Sequence, residues 1–129
     1  MPSRIRPLSW LLAVPGLSLA LAASPATVTT SAAGPVAREA THNCSTPKYP
    51  GLGYFTSLSV SGTSCSNGSK VAIAYYHCRI RHGAAGRCSG GVLGFSCSER
   101  RNSIPTEIDA RVTCRRQHAT VIHTFQQDI

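Results

Sequence analysis

Apolar residues in this chain form one unbroken run near the start and then, from Tyr54 onward, recur with periods of two or about 3.6. From Tyr54 to Val60, Leu58 and Val60 fall on one side and Ser57 and Ser59 on the other, which predicts a half-buried strand. Gly62 turns the chain, and Ser64 is placed to cap a helix. The residues that follow set Cys65, Gly68, Val71, Ala72, Tyr75 and Cys78 along one stripe at helical spacing, with Lys70, Ala74 and His77 elsewhere. The helix should end near Arg81, where Arg79, Arg81 and His82 bring positive charge to the negative end of the dipole and Gly83 can adopt a left-handed cap.

Gly83 to Gly91 reads as a glycine-rich loop that follows a helix and lacks a Gly-Lys-Ser or Gly-Lys-Thr ending, so it gives little support to a phosphate cradle. Val92 to Ser98, with Leu93, Phe95 and Cys97 alternating, is expected as a second strand, and Glu99 to Thr106 as a loop. Ile108, Ala110, Val112 and Cys114 then alternate with Glu107, Asp109, Arg111, Thr113 and Arg115, the pattern of an antiparallel strand with one wet side. After a polar turn at Arg116 to His118, Thr120 to Phe125 gives the last strand. The predicted fold is α+β: one helix packed on a small antiparallel sheet of about four strands, without an internal repeat.

The unbroken run, Leu8 to Ala23, follows Arg4 and Arg6, the layout of an export signal. It spans about 16 residues with Pro15 and Gly16 inside it, short of the roughly 20 that a membrane-crossing helix needs. Ala20 and Ala22 suit a small-residue cleavage site, so residues 1–22 are assigned as signal peptide, with a cut after Ala33 as the alternative. No transmembrane segment is expected after cleavage. Residues 23–43, rich in Ala, Ser, Thr and Pro, are expected as a disordered linker. Residues 44–129 form the predicted domain, beginning with an irregular arm around Pro47, Pro50, Gly51 and Gly53.

All six cysteines, Cys44, Cys65, Cys78, Cys88, Cys97 and Cys114, lie in that domain. At roughly 85 residues an apolar core alone is marginal, and an even cysteine count in an exported chain reads as a disulfide framework. Six cysteines allow fifteen pairings. The predicted elements favour Cys65 with Cys97, Cys44 with Cys114, and Cys78 with Cys88. A metal set of His77, Cys78, His82 and Cys88 competes, but its spacing does not match the usual zinc ligand pairs. No metal or cofactor is expected.

The stretches LSVSGTSCSNGSKVAIAYYHC, GFSC, IDARVTC and ATVIHTF together resemble a small exported cysteine-containing domain of actinobacterial type. In that group a Ser-Cys pair opens a helix, a Gly-Phe-x-Cys strand follows, and a Val-x-Cys strand ends the cysteine set. The resemblance covers about residues 44 to 125 and implies export and a disulfide-bonded fold. The group has no established activity, so it implies nothing catalytic. Cys78 and Cys88 stand outside its usual four cysteines, which makes their pairing with each other natural.

Charge changes the picture most. Lys and Arg number 13 against five Asp and Glu, a formal net charge of +8 that falls to about +6 when Arg4 and Arg6 leave with the signal. Basic residues cluster as Arg79, Arg81 and Arg87, as Arg100 and Arg101, and as Arg111, Arg115 and Arg116, the candidate anion-binding set for an anionic polymer or the cell envelope. Aromatic residues are too few for a platform on which single strands stack. A small nuclease using His118, His123, Glu107 and Arg111 is the enzymatic alternative. Alternation puts Glu107 and Arg111 on the wet face, where ion pairs need no function, and His118 in a turn. The expectation is therefore a secreted, monomeric, non-enzymatic binding module.

Overall fold

The structure, a computed structural model, describes residues 39–129. The expected export signal and most of the expected linker lie outside those residues. The elements run β1 (His42–Cys44), β2 (Gly53–Ser61), α1 (Cys65–Ile80), β3 (Ser96–Ile104), β4 (Glu107–Arg116) and β5 (Ala119–Asp128). The strands form one antiparallel sheet in the spatial order β1-β2-β5-β4-β3. One helix on an antiparallel sheet is the α+β fold that the periodicity predicts, with five strands rather than about four.

The helix begins where capping chemistry places it. Ser64 is extended, at φ −84° and ψ 156°, and its hydroxyl accepts from the Asn67 N–H at 3.1 Å, satisfying one of the orphan donors of the first turn. At the other end Gly83, at φ +92°, donates its N–H to Ile80 O at 3.0 Å. Val71, Ala72, Tyr75 and Cys78 pack against Leu58, Val60, Ile108, Val112, Val121 and Phe125 of the sheet. Gly68 allows the close approach: a Cβ there would lie 2.5 Å from Val60 Cγ1.

Two expectations about elements are corrected. Val92 to Phe95 is not strand but a tight turn closed by paired hydrogen bonds of 2.9 Å, with Leu93 at φ +51° and Gly94 at φ +78°. Of the expected loop Glu99 to Thr106, only Pro105 and Thr106 turn, because β3 runs unbroken to Ile104 in continuous register with β4. The inward side of β3 has little apolar character beyond Cys97. Glu99 and Arg101 occupy it as an ion pair of 2.6 Å, both side chains 4 to 5% exposed, so polarity there reflects a satisfied buried pair rather than a loop.

Disulfide pairing is also corrected. Cys78 pairs with Cys88 as expected, but the other bonds are Cys44–Cys65 and Cys97–Cys114. Cys65 does not meet Cys97, nor Cys44 Cys114. The unforeseen β1, which takes in His42 and Asn43 from the expected linker, pairs Cys44 with Leu58 of β2 and brings it to the start of α1, where its Cα is 5.5 Å from that of Cys65. The extension of β3 sets Cys97 directly across from Cys114, Cα to Cα 4.0 Å. Each bond closes a separate local loop, and the sulfurs of the competing metal set, Cys78 and Cys88, are bonded to each other. Three closed disulfides fit an oxidising, extracytosolic setting. No helix among the described residues is long and apolar enough to cross a membrane.

Candidate anion-binding site

Strand alternation and buried polar chemistry sort the eight candidate arginines into those engaged in the fold, one exposed on the helix side, and three on the open face of the sheet. Arg79 leaves the surface entirely. It follows Val71 and Tyr75 at helical spacing, lands on the buried side of α1, and is 0% exposed. Its guanidinium donates to Ala84 O at 2.8 Å, to the Tyr49 hydroxyl at 3.1 Å and to Gln127 Oε1, and lies 4.9 Å from the centroid of the Phe125 ring. Tyr49 donates to the same Gln127 oxygen at 2.6 Å, and burial, the larger effect, raises its hydroxyl pKa despite the neighbouring cation.

Arg101 is likewise structural. Besides its pair with Glu99, it donates to Ala85 O at 2.7 Å and Gly86 O at 2.8 Å, clamping the glycine-rich loop onto the sheet. Glu99 also accepts from Tyr75 at 2.8 Å and from Arg87 at 3.3 Å. Burial first, and then the bond to Glu99, push the Tyr75 hydroxyl well above its usual pKa. Arg116 lies 4.5 Å over the Phe95 ring and donates to Leu93 O at 3.0 Å, bracing the turn before β3. Arg81 is exposed at the end of α1, on the helix side of the sheet.

Arg100, Arg111 and Arg115 remain together on the open face. Arg100 and Arg111 are direct cross-strand partners, and Arg115 follows four residues further along β4 on the same face, with Thr113 between. With Ser98 and Thr113, themselves cross-strand partners, they line a shallow recess of about 200 Å³. Among the described residues no carboxylate comes within ion-pairing distance of any of the three. Like charges set directly opposite on a sheet are destabilising. Three planar guanidinium forks and two hydroxyls can together supply donors to a carboxylate, sulfate or phosphate group. A second recess continues across Arg100 and Arg111 to Thr124 and Asp109. The acidic residues of β4, Asp109 and Glu107, lie toward its other end.

The residues grouped as a candidate nuclease site are not brought together. His118 is exposed in the turn between β4 and β5, while Glu107 begins β4, a strand length of about 30 Å away. His123 lies inside the core at 0% exposure, between Phe55 and Tyr75 with ring centroids 5.7 and 5.6 Å away. Neither of its ring nitrogens has a hydrogen-bond partner, and burial pushes its pKa down to about 4. Ser98 and Thr113 carry no charge to mark them in the sequence, and Ser98 falls at the end of the expected strand. Once β3 is extended, their register beside Arg100 and Arg111 follows.

No protein-family model, characterised protein or solved structure matches this chain.

Proposed function

We propose that the protein is a secreted, non-enzymatic binding module that takes an anionic partner on the open face of its sheet, through Arg100, Arg111 and Arg115. The observation that carries this reading is the Arg100–Arg111 cross-strand pair with Arg115 further along the same face, beyond Ser98 and Thr113, a set of like charge to which no carboxylate is paired among the described residues. An arrangement that costs stability without a compensating partner in the chain is what a ligand site leaves behind. The recess of about 200 Å³ runs on across Arg100 and Arg111 into the second one, an open stretch of sheet face that suits a repeating or extended anion read one group at a time. Dispersal of His118, His123 and Glu107 favours binding over acid–base catalysis. The apolar run behind Arg4 and Arg6 supports export through a cleaved signal.

Retention on immobilised heparin tests the reading. The protein should elute at clearly higher salt than an Arg100→Ala, Arg111→Ala, Arg115→Ala variant, whereas replacing exposed Lys48, Lys70 and Arg81 by Ala, an equal loss of charge, should move elution far less. Equal shifts for the two variants would reduce the site to net charge and overturn it. Incubation with RNA should yield no cleavage, and cleavage by the purified protein would contradict the non-enzymatic reading.

A further inference from the structure

The partner can be named more closely from the strand that borders the arginine cluster. β3 is an edge of the sheet and is nine residues long, against a typical strand of about five or six. Edge strands are commonly blunted by shortness, proline, a bulge or charged side chains; β3 has only the last, Arg100 outward and the mutually paired Glu99 and Arg101 inward, and its register with β4 is unbroken from Ser96 to Ile104. The opposite edge is different, since β1 is three residues long and is tied to α1 by Cys44–Cys65. Glu99 and Arg101 hold the inward side of β3 against the loop carbonyls of Ala85 and Gly86, so the edge is rigid as well as long. Among the described residues, no backbone hydrogen bond from a loop covers its outer side.

The geometry points to β-strand addition: an extended acidic segment of a partner protein pairs antiparallel or parallel along β3 as a sixth strand, its carboxylates meeting Arg100, Arg111 and Arg115 on the open face. This rests on the anion-binding reading above and adds the class of partner. Main-chain pairing supplies affinity that is independent of side chains, and alternate side chains supply selectivity. Charge along the edge is graded: Arg115 and Arg111 flank the half from Ser96 to Arg100, and Asp109 and Glu107 the half from Asn102 to Ile104. The segment should therefore be acidic at one end only. Charge also disfavours a second copy of this chain as occupant, because antiparallel pairing of two β3 strands about their midpoint sets Arg100 against Arg100, with both Arg111 side chains nearby.

The test uses a fluorescent nonapeptide with Val at every second position and, between them, Glu in one half and Thr in the other, the same peptide N-methylated at consecutive central amides, and heparin as a probe of the patch alone. Methylation preserves charge and removes pairing donors. We expect the unmodified peptide to bind at least about tenfold more tightly than the methylated one, with slowed amide exchange in β3, and Arg100→Glu to abolish binding of both. Equal binding of the two peptides, with heparin retention intact, overturns strand addition and leaves the anion-binding reading standing. Loss of heparin selectivity for the three arginines, with neither peptide bound, overturns both. Concentration-dependent dimerisation that protects β3 without peptide overturns the proposal in favour of a second copy.

Discussion

At the scale of residues, His123 is the most consequential buried group. An imidazole without a hydrogen-bond partner, enclosed by Phe55, Tyr75 and Phe125, is held neutral because a charge there would lack both water and a counter-ion. Its pKa in the fold is about 4, against 6.5 for the free side chain. Between those values the unfolded chain binds more protons, so stability is lost as pH falls from about 6.5 toward 4. At pH 4.5 the loss should be about 2 to 3 kcal/mol. Guanidinium melts at pH 7 and 4.5 should show this for the wild type and show most of it missing in His123→Leu. An equal loss in both would place the acid sensitivity elsewhere. Arg79 makes a related point: a basic residue in the last turn of a helix is expected to face water and the end of the dipole, yet it stands four residues after Tyr75 and is wholly buried.

At the scale of elements, what could be read from the sequence was whatever apolar periodicity wrote. The α1 stripe, the Ser64 cap, and the inward series Ile108, Ala110, Val112 and Cys114 were readable because burial there is apolar. β3 was not, because its inward positions are held by an ion pair and by carbonyls of a distant loop, contacts that leave no period in the sequence. β1 was hidden for another reason, since three residues are too short to show any period. Both disulfide errors, and the missed Ser98 and Thr113, follow from those two strands. The account of β3 is checked by Glu99→Ala. That change strands the buried Arg101 cation and the Tyr75 hydroxyl, and should cost about 3 to 5 kcal/mol. Glu99→Gln, which keeps an acceptor, should cost less. Chemical denaturation that found Glu99→Ala within about 0.5 kcal/mol of wild type would contradict the role given to this pair.

At the scale of the whole molecule, covalent and polar staples supplement an apolar core that is small for holding five strands and a helix. The three disulfides span separations of 21, 10 and 17 residues. On the chain-entropy model each contributes about 3 kcal/mol, a large share of a typical domain stability of about 5 to 15 kcal/mol. Full reduction should therefore unfold or loosen the domain, and a thermal scan unchanged by reductant would contradict this. The same construction frees the open face. With Arg79, Arg101 and Arg116 engaged in holding loops and turns, Arg100, Arg111 and Arg115 are left sharing the open face without a structural contact of their own.

That division of the arginines is tested most directly by nuclear magnetic resonance of the folded, oxidised protein titrated with a heparin oligosaccharide. Signals of Ser98, Arg100, Arg111, Thr113 and Arg115 should shift together and saturate, while the side-chain signals of Arg79 and Arg101 stay in place. Shifts spread over Lys48, Lys70, Arg81 and Arg87 in proportion to exposure, with no concentration on β3 and β4, would contradict an anion site on this face.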